Sequence, residues 1–176
     1  YKKNFLKEVI LRVDFLSEIS AIQKQLPKNV TNALKTQFPI PETKNVVKNE
    51  FILDKKKPDI RKADEFIEWS FFSKDRNKKI NLHKDAISLQ VIKYDSFQNV
   101  KKEFMNGIDV VFDTYQETQA KRLGLRYINE IEIHEGDPLD WQKWIKKKAL
   151  FPLSAFADKD YVIKAVHTVE FNYDVF

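Results

Sequence analysis

The sequence predicts an α+β fold, an antiparallel sheet with helices mainly on one face, in the order β-α-β-β-β-β-α and then β-α-β. Three observations lead there. Apolar and polar residues alternate along 8–15 and again along 121–133, the period of strands with one buried face. Three alternating stretches between residues 66 and 91 follow one another across short polar turns, as in an antiparallel meander. From Phe97 to Tyr115 the apolar residues fall three or four apart, the stripe of an amphipathic helix.

In chain order, Val9, Leu11, Val13 and Phe15 form the core side of the first strand, with Glu8, Ile10, Arg12 and Asp14 opposite. The spacing of Ile19, Ile22 and Leu26 is helical, and Pro27 then opens a helix carrying Val30, Leu34 and Phe38, since a missing N–H costs nothing at a first helical position. Pro39 and Pro41 stop it. After a polar connection, 47–53 reads as a strand and 55–59 as an exposed loop. In the strand 66–73, Ile67, Trp69 and Phe71 face the core; Ile80 and Leu82, then Ile87, Leu89 and Val91, complete the meander.

Asp95 or Ser96 caps the long helix, because a short oxygen-bearing side chain accepts a bond from an unpaired backbone N–H there. Gly107 inside that helix costs up to about 1 kcal/mol relative to alanine. In the strand 121–133, Leu123, Leu125, Tyr127, Ile131 and Ile133 take the core side, and Arg122, Arg126, Glu130 and Glu132 the other. Asp137 and Pro138 start a last helix with Trp141, Trp144 and Ile145 on its apolar side, and 160–175 alternates as a final strand.

Similar order and spacing recur within the chain. Leu11-Arg12 and Leu125-Arg126 are 114 residues apart (126 − 12), while Phe38-Pro39 and Phe151-Pro152 are 113 apart (151 − 38). A proline starts the helix in each case. Residues 1–120 therefore read as a first α+β repeat, and 121–176 as the start of a second, truncated one packed with it as one compact unit. On this reading Leu123, Leu125 and Tyr127 are core residues of the second half, and Arg126 is the counterpart of Arg12.

Trp69-Ser70-Phe71, Ser73-Lys74-Asp75, Tyr94 and above all Arg122-Leu123-Gly124-Leu125-Arg126-Tyr127-Ile128-Asn129 carry a resemblance to a family. It is an uncharacterised family of sporadically distributed bacterial and archaeal proteins, whose Glu8-Val9 strand start and Phe38-Pro39 stop are similar too. Members typically extend further at the C-terminus. The resemblance implies a prokaryotic protein of unknown function and brings no activity, cofactor or catalytic residue with it. The element order also resembles that of saddle-shaped TATA-binding-protein-like domains, a likeness of fold that carries little about function.

Composition removes several function classes. The chain has no cysteine, which excludes disulfides, Cys-ligated metal and thiol nucleophiles and agrees with a reducing, cytoplasmic setting. Its three glycines form no dinucleotide or Walker phosphate loop, and no GxSxG elbow occurs. No apolar run approaches the roughly 20 residues of a membrane span, and residues 2–13 mix charge into the apolar positions, unlike a signal peptide. A net charge of +5, from 31 basic and 26 acidic residues scattered in small groups, permits nucleic acid without indicating it.

The candidate binding residues are Arg12, Arg126, Asn129, Glu130 and His134. Arg12 and Arg126 project from the side of the sheet that the core pattern leaves uncovered, beside Glu8, Asp14, Glu68, Ser70, Gln90, Glu130 and Glu132. Two guanidinium forks there suit an anion or carboxylate clamp, and equally cross-strand Arg–Glu pairs worth about 0.2–1 kcal/mol each. Asn129 interrupts an apolar side and either pins a turn or orients a ligand. His134 lies near Glu135 and Asp137, whereas His83 and His167 have no comparable acidic neighbours, so neither metal nor cofactor is expected. Trp141 and Trp144 among lysines fit core packing better than a membrane-surface helix. These readings favour a non-catalytic binding or protein-interaction module working through the uncovered polar face, with an unknown protein partner. Nucleic-acid binding is the alternative, and an enzyme built on Arg126, Glu130 and His134 the third.

Overall fold

The computed structural model describes residues 5–53 and 58–130, with side chains at all of these except 48–64. The chain divides into two compact units, Tyr1–Glu130 and Ile131–Phe176, and the described residues belong to the first. The expected last helix, the final strand, His134 and the strand positions beyond Glu130 lie outside them.

The first unit is α+β. Its strands are β1 (Leu6–Phe15), β2 (Ile40–Leu53), β3 (Pro58–Phe72), β4 (Lys78–His83), β5 (Ala86–Val91) and β6 (Ala120–Asn129). They form one antiparallel sheet in the order β2-β3-β4-β5-β1-β6. A short 3₁₀ turn at Ser20–Gln23 and the helix α1 (Lys28–Gln37) follow β1, and the helix α2 (Phe97–Thr114) links β5 to β6.

One face of the sheet is covered by both helices. Val9, Leu11 and Val13 of β1, Ile80 and Leu82 of β4, and Ile87, Leu89 and Val91 of β5 are buried there with Val30 and Leu34 of α1 and Val100, Phe104, Ile108 and Val111 of α2. Trp69 Nε1 donates to the Ile22 carbonyl at 2.9 Å, and Ile67 N donates to Gln23 Oε1 at 2.8 Å, so the 3₁₀ turn is fastened to β3. Lys78 on β4 reaches Glu103 on α2 at 2.7 Å.

The boundaries differ from the sequence pattern in instructive ways. Only Ser20–Gln23 of the stretch before Pro27 is helical, and Pro27 is the cap before α1. β2 begins at Ile40 and includes Pro41, where a polar connection is expected from the sequence, and β3 begins at Pro58. The two pair from Ile40↔Phe72 out to Leu53↔Pro58, while β4 pairs with β3 only over Trp69–Phe72. Among the described residues the outer part of this ribbon has no third strand beside β3 and thus no reason to show a strong apolar alternation. Ser96 caps α2, accepting from Asn99 N at 3.3 Å, and α2 runs unbroken through Gly107.

The largest difference concerns β6. Leu123, Leu125 and Tyr127 stand opposite Val13, Leu11 and Val9 on the helix-covered side, yet they are 73%, 46% and 44% exposed. They are not core residues: α1 and α2 bury against β1, β4 and β5, and in the sheet order β6 lies beyond that group, with β1 its only neighbour among the described strands.

Candidate functional site: the helix-free face of the sheet

The strand registers place one row of residues across all six strands on the face away from α1 and α2, helix-free among the described residues. Glu42 pairs with Ser70, Ser70 with Asn81, Asn81 with Ser88, Ser88 with Arg12, and Arg12 with Gly124. Neighbouring strands are about 4.8 Å apart, so the row is roughly 24 Å long. Its centre is made of short side chains: Ser70, Asn81 and Ser88 are buried although neither α1 nor α2 lies over them. The rows on either side carry longer ones, with Phe72, Lys79, Gln90, Ile10 and Arg126 in register along one flank. On the other flank stand Glu68, His83, Asp14 and Arg122, with the short Ala86 between His83 and Asp14. Ser70, Asn81 and Ser88, short among longer residues, make a furrow across β3, β4 and β5.

The furrow is only partly satisfied. Ser70 Oγ donates to Asn81 Oδ1 at 2.9 Å, which leaves the Asn81 amide nitrogen and the Ser88 hydroxyl without hydrogen-bond partners among the described residues. Glu8, on the same face of β1, holds one carboxylate oxygen, Oε1, buried and without a partner. Buried polar atoms normally pair, and Glu8 Oε1 does not, whereas the Asn81 amide and the Ser88 hydroxyl are not shut off from solvent and stand free to bond another molecule's polar groups.

Along one flank runs a chain of charged groups. Asp14 accepts from Arg12 Nε at 2.5 Å and from Arg122 Nε at 2.6 Å. Partial burial raises the Asp14 carboxyl pKa, but the two guanidiniums outweigh it and hold the group below its ordinary range. Beyond Arg12 lies His83, buried on β4 with its ring 5.2 Å from that of Phe66. Its Nδ1 bonds to Asp85. Arg12 has only donors to offer, so His83 Nε2, 3.5 Å from Arg12 Nη1, is the accepting nitrogen and the ring proton sits on Nδ1 toward Asp85. Burial lowers the His83 pKa, with Asp85 opposing and Arg12 assisting, and the ring is neutral at pH 7. The expectation that His83 lacks an acidic neighbour does not hold: Asp85, two residues along, is brought into reach by the tight β4–β5 turn.

The sequence-selected residues separate in space. Arg12 and Arg126 share the helix-free face but occupy adjacent rows, Arg12 opposite Gly124 and Arg126 opposite Ile10. Arg12 is engaged by Asp14 and His83, whereas Arg126 is exposed and has no partner among the described residues. Asn129 sits opposite Leu6 at the strand end, exposed on the side of Tyr127. Glu130 is tied to Lys7 by an ion pair and, through its N–H, to the Phe5 carbonyl at 2.9 Å. The described pockets are lined by Ser17–Ile19 with Thr114–Thr118, and by Gln37, Phe38, Ser73, Asp75, Lys78 and Glu103, away from Arg126 and Glu130. Among the described residues no cluster of His, Asp and Glu is disposed to hold a metal ion, and no helix is long and apolar enough to cross a membrane.

Asn81, Ser88, Asp85 and Gly124 join the site only through register. Compared with known proteins, the chain matches no family model, no curated protein and no solved structure.

Proposed function

We propose that the protein is a non-catalytic binding module that takes a polar segment of a protein partner in the furrow on the helix-free face of its sheet. The observation that carries this reading is the in-register row Glu42–Ser70–Asn81–Ser88–Arg12–Gly124, with unpaired polar groups at its centre. An extended segment about seven residues long spans roughly 24 Å and would meet the amide of Asn81 and the hydroxyl of Ser88 on its way across. Nucleic acid suits this face less well, because Glu8, Asp14, Glu42 and Glu68 are interspersed with the arginines and would oppose a phosphate backbone.

The test is co-purification of the full chain from its host, comparing wild type with Gln90→Trp, which fills the furrow from its flank, and with Met105→Lys on the exposed side of α2. A partner held by wild type and Met105→Lys but lost by Gln90→Trp supports the module. A partner held by Gln90→Trp, or retention that collapses between 50 and 200 mM salt in the manner of phosphate-backbone binding, counts against it.

An internal duplication belongs to the same proposal. β1 and β6 are antiparallel neighbours, and Leu11 stands directly opposite Leu125, its counterpart at the offset of 114 (125 − 11). A local twofold axis between those two residues would carry Arg12 onto Arg126, which supports the repeat.

A further inference from the structure

The geometry points to an oxyanion subsite over Gly124, with Arg126, Arg122 and Arg12 as its donors and a carboxylate or phosphate group of the bound partner as its ligand; it supplies the charged end of the furrow and rests on that reading for its partner. Glycine weakens a strand interior, so a strand glycine calls for a reason. Packing provides none at position 124: its φ is not in the left-handed region, and a Cβ there would meet only the Arg12 carbonyl oxygen, at 3.9 Å. The irregularities of the β1–β6 pairing fall at Leu6/Glu8 and Asp14/Phe15, away from it. What the missing side chain leaves is open space on the helix-free face, and three arginines border that space. Arg122 and Arg126 are two residues away on either side along β6, and Arg12 is directly across on β1.

Their pairing leaves the forks available. Asp14 holds Arg12 and Arg122 through the Nε of each, which orients both guanidiniums without occupying the terminal nitrogens of Arg122, and Arg126 is unpaired among the described residues. Three guanidiniums against the carboxylates of Asp14 and Glu8 leave one positive charge uncompensated on this patch. A planar fork of N–H donors matches carboxylate and phosphate oxygens alike, so both are candidates for the group that lies in the notch.

The experiment uses the full chain labelled with ¹⁵N-glycine, whose three glycine signals are readily resolved. Inorganic phosphate and succinate are titrated separately against sodium chloride at matched ionic strength. The subsite requires a saturable shift of the Gly124 amide with phosphate, with succinate or with both, identifying the oxyanion it prefers, and chloride must not reproduce it. Arg126→Gln, an exposed substitution that leaves the fold alone, should weaken that binding by about tenfold or more. Gly124→Val, labelled with ¹⁵N-arginine and followed through the Arg126 Nε–H signal, should abolish it, while thermal stability is kept or raised. A shift that chloride matches, or Arg126→Gln binding as wild type does, overturns the subsite. Loss of partner capture in Gln90→Trp without any specific anion shift removes the subsite and keeps the furrow. An anion shift with capture indifferent to Gln90→Trp removes the furrow and keeps the subsite.

Discussion

Gly107 of α2 lies so close to Ile80 of β4 that a Cβ added to it would stand 2.5 Å from Ile80 Cδ1, with Leu34 and Ile87 methyls at 3.6 and 3.7 Å. Glycine in this helix is therefore a matter of packing, and its intrinsic cost of about 1 kcal/mol is offset by the close approach of α2 to the sheet. Trimming Ile80 to valine should cost about 0.5–1.5 kcal/mol in the wild type by opening a cavity. In a Gly107→Ala background the same change should cost nothing or stabilise, because it removes the atom that the new methyl strikes. Urea unfolding of the four proteins of this cycle measures the coupling, and additive effects would show that the two residues do not compete for space.

His83 makes the fold sensitive to mild acid. Burial lowers its folded pKa below the unfolded value of 6.5, so beneath that value the unfolded chain binds a proton that the folded one does not. Stability should be unaffected by this group above pH 6.5 and fall, by up to about 1.4 kcal/mol per pH unit, as the pH drops from there to the folded pKa. Asp14 acts in a separate window, since its lowered pKa makes its contribution fade only below about its ordinary 3.8. Unfolding free energies of wild type and His83→Gln at pH 8 and pH 5.5 test the assignment, and an equal pH dependence of the two proteins would contradict it.

Leu11 and Leu125 face each other across β1 and β6, but only Leu11 is buried. Leu11→Ala should cost about 2–5 kcal/mol, and Leu125→Ala no more than about 1 kcal/mol. Chemical denaturation of the full chain reads both, and equal losses would mean that Leu125 is part of a core.

Ser96 caps α2 by accepting the Asn99 N–H, while Asp95 accepts from the Asn99 side chain at 2.6 Å. Ser96→Ala should destabilise by about 1 kcal/mol, and Ser96→Asp should retain most of the stability, because a carboxylate both caps and complements the helix N-terminus. A thermal melt in which the two variants lose equally would count against a capping role.

Much of the fold was legible because its signals are local. The alternation of Val9, Leu11 and Val13, the stripe from Val100 to Val111 and the cap at Ser96 each depend on residues a few positions apart, and each appears where the spacing puts it. The site was legible in part. Alternation alone puts Arg12, Ser70, Gln90 and Arg126 on one face, because a period of two fixes the side on which a strand residue emerges. It says nothing about which of them share a row, so it singles out neither Asn81 and Ser88 at the centre of the furrow nor Gly124 at the end of the row. His83 illustrates the same gap: its partner Asp85 is two residues away in sequence, but the contact exists only once the chain reverses between β4 and β5.

By itself the sequence determined the element types, their order and the face on which each strand residue emerges, since these follow from periodicities of 2.0 and 3.6 and from caps that act within one turn. Only the tertiary structure decided the strand order, the registers and the exposure of Leu123, Leu125 and Tyr127. Those depend on pairing between segments up to about a hundred residues apart and on how far two helices reach across a six-stranded sheet, and neither quantity is written in any local pattern.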